Sequence, residues 1–157
     1  MYSVTLRNGV KMPLLGYGVL QMKDQEECGK CVLKALQAGY RMFDTAAAFG
    51  NERAVGTALK SAMDKGIVRR EDLFIITKLW LKDAGEKSAE RSFNESLERL
   101  QTDYIDLYLI HQPYNDYYGA WRTLEKICQR GRTRAIGVSN FSPEPLVALC
   151  LNSEIPP

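Results

Sequence analysis

Short apolar runs rich in β-branched and aromatic residues recur along the chain, beginning near Leu14 (LLGYGV), Met42 (MFDTA), Leu73 (LFIIT), Tyr104 (YIDLYLI) and Thr133 (TRAIGV). Each is followed by a stretch in which apolar positions return with helical spacing. The predicted helices cover about Gln25 to Ala38, Glu52 to Lys65, Glu86 to Leu100 and Tyr118 to Arg130. Gly39, Gly66 and Gly131 stand where three of them should stop, because glycine adopts a helix's left-handed C-terminal turn without strain. A fifth helix starts near Pro143, with Ser142 as N-cap and proline at the first position, where its missing N–H does no harm. The run starts lie 28, 31, 31 and 29 residues apart. That is the rhythm of repeated βα units, parallel strands joined by crossover helices. Ahead of them, Ser3–Leu6 and Val10–Met12 flank Arg7-Asn8-Gly9, a hairpin signal that Pro13 ends.

The runs are largely apolar rather than strictly alternating, as expected of a parallel sheet covered by helices. A doubly wound sheet and a (β/α) barrel both fit. The first favours a G-x-G-x-x-G after its first strand, and Gly16-Tyr17-Gly18-Val19-Leu20-Gln21 breaks that spacing at the third glycine, which weakens the doubly wound option.

Composition narrows the class. With 157 residues, 45% of them hydrophobic, and a net charge of +2, the chain is neither disordered nor strongly charged. Its 21 basic and 19 acidic residues are interspersed, so no footprint for nucleic acid or a membrane surface emerges. No apolar run approaches the roughly 18 residues of a membrane span, and the N-terminus lacks the apolar core of a signal peptide. A soluble, cytoplasmic protein is expected. Cys28 and Cys31 form a C-x-x-C, but they follow Asp24-Gln25-Glu26-Glu27 inside a helical pattern rather than opening a helix after a strand. With one histidine and no second pair, a zinc site lacks ligands, and no metal is expected. The cysteines read as reduced helix residues.

Reactive residues gather where the strands end. Strand two closes in Phe43-Asp44-Thr45, strand three in Thr77-Lys78, strand four in Ile110-His111 and strand five in Val138-Ser139-Asn140. In a barrel these positions face one rim, which is where barrel enzymes carry their chemistry. Any one of them could be a helix cap or a satisfied strand-end group. Four in succession are much less easily accidental.

On these residues the chain resembles the aldo-keto reductases. The resemblance is carried by Phe43-Asp44-Thr45-Ala46, Gly50-Asn51-Glu52, Ile76-Thr77-Lys78-Leu79-Trp80, the run Asp106 to Pro113 and Ala135 to Phe141, and it extends in order over the whole chain. It implies a TIM-type (β/α) barrel whose N-terminal hairpin, residues 1–12, plugs the barrel bottom, followed by βα units over residues 14–157. The implied activity is NADPH-dependent reduction of aldehydes and ketones without metal, the bacterial and protozoal small-carbonyl reductases being most alike. In that chemistry hydride reaches the carbonyl carbon, and the oxygen, gaining negative charge, needs a proton donor and preorganised polar groups. The donor the family uses is a tyrosine, whose pKa of about 10 must be lowered by a nearby ammonium. The resemblance assigns that ammonium to Lys78, the carboxylate holding it to Asp44, and the carbonyl-orienting imidazole to His111. Ser139 and Asn140, with Asp44, are the implied cofactor contacts, and Trp80 joins His111 as a candidate for the substrate pocket.

Two features depart from the family pattern. Its tyrosine falls at position 49, which here is Phe49. A phenyl ring fills the volume but donates nothing, so impaired catalysis is expected, with protonated His111 as a slow substitute at acidic pH. The other is length: a complete barrel needs about 250 residues, and the repeat provides five units. The expectation is therefore an N-terminal portion of a barrel, truncated to about five βα units, binding NADPH weakly and prone to self-association through open sheet edges. A binding pseudoenzyme and a structural half-barrel are the competing readings. Among other residues, Arg130, Arg132 and Arg134 read as basic residues complementing a helix dipole, Asn51 as an N-cap, and Trp121 as core.

Overall fold

A computed structural model describes residues 2–157; Met1, part of the predicted hairpin segment, lies outside the described residues. The hairpin pairs β1 (Ser3–Thr5) with β2 (Lys11–Pro13), Val4 opposite Met12. Leu6 N donates to Val10 O at 2.8 Å, closing the Arg7-Asn8-Gly9 turn, and Gly9 takes φ +84°. Five strands then form one parallel sheet in chain order: β3 (Gly16–Gly18), β4 (Met42–Asp44), β5 (Phe74–Leu79), β6 (Ile105–Ile110) and β7 (Thr133–Val138). The helices are α1 (Gln25–Gln37), α2 (Glu52–Asp64), α3 (Glu86–Leu100), α4 (Tyr117–Gln129) and α5 (Pro143–Leu151). The α/β class, the five βα units and the leading hairpin agree with the sequence expectation, and helix limits agree within about one residue.

Local chemistry explains the boundaries. Asp24 accepts from Glu27 N at 2.7 Å and Asp116 from Gly119 N at 2.8 Å, so carboxylates satisfy free N–H groups at the starts of α1 and α4. Gly39, Gly66 and Gly131 adopt φ of +99°, +69° and +72° just beyond α1, α2 and α4. The core fills the layer between sheet and helices, where Val32, Leu59, Phe93 and Leu124 pack on Ile75, Tyr108 and Ile110. β5, at the centre of the sheet, is buried at all six positions. β3 and β7 are the sheet's edges. Beside β7 an apolar groove of about 490 Å³ runs between Leu107, Leu109 and Gly137 on the sheet, Met12 of the hairpin, and Ile155 and Pro157. The hairpin tip is held at the N-terminal end of β7, where Asn8 Nδ2 donates to Arg134 O at 2.8 Å.

Three sequence expectations need correction. Asn51 precedes α2 but makes no cap bond; its side chain turns inward instead. Ser142 sits at the N-cap position of α5 without a side-chain cap bond, although Pro143 does occupy the first turn. The arginines do not simply complement a helix end. Arg130 reaches Glu90 on α3 at 2.7 Å, Arg132 reaches Asn94 at 3.3 Å, and Arg134, on β7, pairs with Asp106 at 2.8 Å. A charged partner across an interface offers more than the diffuse field of a helix terminus.

Asp106 is fully buried in β6 and ties three strands together. Its carboxylate also accepts from Arg70 Nη2 at 2.8 Å and from Ile75 N at 2.9 Å. α2 meets the end of α3 at Gly56, where an added Cβ would lie 2.5 Å from Arg99 O and 2.6 Å from Leu100 Cα. The four cysteines are free, and burial raises the thiol pKa of Cys28. A buried, unactivated thiol fits the structural reading of the C-x-x-C.

Candidate active site

Strand register brings the reactive residues together. Asp44 lies opposite Ile76, Lys78 opposite Leu109, and Leu109 opposite Gly137. Because side chains alternate along a strand, Asp44, Lys78, His111 and Ser139 fall on one face of the sheet, at the C-terminal ends of four adjacent strands. This is the rim that the sequence pattern anticipates.

Lys78 Nζ donates to Asp44 Oδ1 at 2.5 Å and to Thr45 O at 2.9 Å. Lys78 is 8% exposed while the Asp44 side chain is 37% exposed, so the pair lies at a boundary between interior and solvent. A buried ammonium demands a counter-charge, and Asp44 provides it. The third N–H of Lys78 is left over after these two bonds.

Phe49 is carried by a single 3₁₀ turn, Ala47–Phe49, which ends at Gly50 with φ +71°. Its ring centroid stands 5.3 Å from Lys78 Nζ and 5.8 Å from the His111 ring, edge to face. Trp80 closes on the other side of His111, with ring centroids 5.1 Å apart. Position 49 therefore lies within 6 Å of both the ammonium and the imidazole. Burial, then the charge of Lys78, lowers the His111 pKa, and Asp44 only partly opposes this. The imidazole is held neutral near pH 7, and its buried Nδ1 has no hydrogen-bond partner among the described residues.

On β7's end, Asn140 takes φ +59° and its Nδ2 donates to His111 O at 2.8 Å and Ser139 Oγ at 3.0 Å. Asparagine tolerates this left-handed backbone better than most residues. These bonds use the Asn140 amide N–H groups and leave its Oδ1 and the Ser139 O–H open. One acceptor and one donor side by side match the two ends of a carboxamide. The site thus fits the nicotinamide head of a dinucleotide.

Behind the rim lies a second set of residues to which sequence reasoning gave no site role. Thr45, next to Asp44, donates its hydroxyl to Asn51 Oδ1 at 2.7 Å. Thr77, next to Lys78, donates to Glu52 Oε1 at 2.6 Å, and Arg99 Nε donates to Glu52 Oε2 at 2.6 Å. Threonine directly beside both Asp44 and Lys78 was the available signal. Trp121, read as core, is 1% exposed and donates from Nε1 to Ile155 O at 3.1 Å. Among the described residues no helix is long and apolar enough to cross a membrane, and no group of three His, Cys, Asp or Glu is placed to hold a metal.

Residues 14–157 match the sequence profile of the Aldo/keto reductase family. The chain belongs to this family. A Bacillus subtilis relative named glyoxal reductase is 46% identical over 99% of the chain and 55% of that protein's length. A Trypanosoma cruzi 9,11-endoperoxide prostaglandin H2 reductase is 42% identical over 98% of the chain and 53% of its own length. Among solved structures, an aldo/keto reductase from Brucella melitensis superposes with a TM-score of 0.94 at 42% identity, covering 99% of this chain and 60% of that one. A Bombyx mori aldo-keto reductase in complex with NADP gives 0.94 at 35% identity, covering 99% of this chain and 56% of that one. The chain thus spans somewhat more than half the length of these aldo-keto reductases, and its five βα units follow their fold closely.

Proposed function

We propose that this chain forms part of an NADPH-linked site for small aldehydes and ketones in which carbonyl reduction is severely slowed at the protonation step. The observation that carries this reading is Phe49, whose ring stands 5.3 Å from Lys78 Nζ and 5.8 Å from the His111 ring. The relatives and neighbours support the reaction class, since they are named reductases and one structure holds NADP. Ser139 and Asn140 would hold the nicotinamide amide through the open donor and acceptor described above. The cofactor, when bound, supplies hydride to the carbonyl carbon. Trp80 and Phe49 would flank the substrate with apolar rings, and His111 would hydrogen-bond its oxygen, excluding water on that side.

The oxygen needs a proton as hydride arrives. The ammonium of Lys78, paired with Asp44, would bias a phenol at position 49 toward transfer. Phe49 has no proton to give. Loss of a positioned general acid typically costs about 10²–10⁴ in rate. Substitution by His111 is confined to acidic solution, because its pKa lies below the ordinary imidazole value. Phe49→Tyr in the full-length protein should raise NADPH oxidation with an aldehyde panel by about 10²-fold or more. Equal turnover by both versions would overturn the reading.

A second reading, a binding protein that retains the pocket without the chemistry, is favoured by the same phenyl ring. It predicts NADPH binding detectable by fluorescence with no turnover. We also propose a cytoplasmic location, a segment organisation of hairpin (1–12) and five βα units (14–157), and weak NADPH binding by residues 1–157 alone. Self-association of these residues through the β3 and β7 edges is supported by the exposed Leu14, Leu15 and Val147 and by the apolar groove beside β7.

A further inference from the structure

We infer that Asn51 and Glu52 are positioning residues, a two-pronged clamp that sets the separation of Asp44 and Lys78. The inference rests on the reading of Lys78 as the ammonium of a carbonyl-reducing site. Asn51 and Glu52 are adjacent in sequence, and they grip different strands. Asn51 holds the Asp44 side: its Oδ1 accepts from the hydroxyl of Thr45 at 2.7 Å, while its Nδ2 donates to Val19 O at 2.8 Å and Met22 O at 3.1 Å, beyond β3. Glu52 holds the Lys78 side, accepting from the hydroxyl of Thr77 at 2.6 Å. The first turn of one helix thus fastens the ends of β4 and β5, where the two charges emerge.

The ammonium itself completes the loop. Lys78 Nζ donates to Thr45 O, the carbonyl of the residue Asn51 grips. A shift of Thr45 would therefore move both of the ammonium's anchors, Asp44 and this carbonyl. The Thr45–Asn51 bond also closes the segment that carries Phe49, which is pinned within by Phe49 N donating to Ala46 O at 3.0 Å. Position 49 and Lys78 are referred to one rigid frame.

Burial argues that geometry rather than stability accounts for these groups. Asn51 is 0% and Glu52 1% exposed. Removing an amide and a carboxylate from water is costly even when both are bonded, and packed apolar side chains of similar volume commonly stabilise a fold as well. Apolar side chains, however, cannot direct two threonines. Arg99, whose Nε lies 2.6 Å from Glu52 Oε2, supplies the counter-charge that keeps the carboxylate in place.

The test reads Lys78 directly. Full-length protein is treated with acetic anhydride, and modification of Lys78 is measured by mass spectrometry against Lys30, whose side chain is 66% exposed. Thr45→Val and Thr77→Val keep volume and delete only the hydroxyl. Each should raise the Lys78:Lys30 labelling ratio severalfold, because an ammonium displaced from its fixed anchors at Asp44 and Thr45 O is freer to meet the reagent. Thr45→Ser and Thr77→Ser should restore the parent ratio. In the Phe49→Tyr background both valine variants should lower kcat by about tenfold or more with KM unchanged. An unchanged ratio in a folded valine variant overturns the clamp, as does a raised ratio with undiminished kcat. Were one valine variant not to fold, the other, on the neighbouring strand, decides. Failure of Phe49→Tyr to restore turnover would instead defeat the carbonyl-reducing reading, while the labelling ratio still judges the clamp.

Discussion

Replacing Asp106 tests whether the parallel sheet depends on one buried carboxylate. Asp106 is fully buried, and three donors converge on it from β5, β7 and the turn that leads into β5. In Asp106→Ala the Ile75 N–H loses its acceptor, at about 1–3 kcal/mol for an unsatisfied buried donor. Arg70, 16% exposed at the side chain, keeps its bonds to Thr102 and to the Tyr104 carbonyl but loses its counter-ion. Arg134 is 41% exposed, and solvent screening limits its share to about 1 kcal/mol or less. Breaking a buried pair from one side usually costs about 3–5 kcal/mol in all. With an m-value of about 2 kcal/mol/M, a loss of about 4 kcal/mol moves the urea midpoint by about 2 M. Asp106→Asn keeps one acceptor oxygen and should lose about half as much. Asp106→Leu combined with Arg70→Met should recover part of the loss, since no uncompensated charge remains. A loss below about 1 kcal/mol in Asp106→Ala at unchanged m would refute the reasoning.

The Gly56→Ala side chain would meet the α3 backbone at 2.5–2.6 Å, and backbone cannot step aside, so the helices must part. About 1–3 kcal/mol of destabilisation is expected for overpacking, read by thermal melting; an unchanged melting temperature would contradict the contact. His111 is the chain's one histidine, so a single imidazole resonance reports it. Its NMR titration midpoint should lie below about 6.5, and Lys78→Met should raise it toward that value without reaching it, burial being the larger cause. Because the folded state takes up this proton less readily than the unfolded chain, the associated stability is present above about pH 6.5 and is lost as pH falls below it. A midpoint above the ordinary value would refute the burial argument.

Much of this protein was legible in one dimension. Strand and helix order follow from apolar periodicity, because a parallel sheet covered by helices imposes that periodicity on the chain. The rim residues were legible for a related reason: polar and ionisable residues recur at the ends of four successive largely apolar runs, so Asp44, Lys78, His111 and Ser139 stand out. Phe49 was visible as a departure from the aldo-keto reductase pattern. The supporting residues were not. Asn51 and Glu52 look like an ordinary helix start, and Arg134 like a member of a basic cluster. Partners lie 25–32 residues away for Glu52–Thr77, Asn51–Val19 and Arg134–Asp106, with no periodicity to reveal them.

Sequence alone thus determined which elements form, in what order, and which chemical groups reach the rim, since those depend on local pattern and two-residue strand alternation. Tertiary structure alone decided how those groups are held. It set Lys78 against Asp44, lowered the His111 pKa through burial, and turned Asn51 inward to grip Thr45. Hydrogen-bond partners and burial are properties of strands and helices brought together from distant parts of the chain, and they exist only once the sheet has assembled.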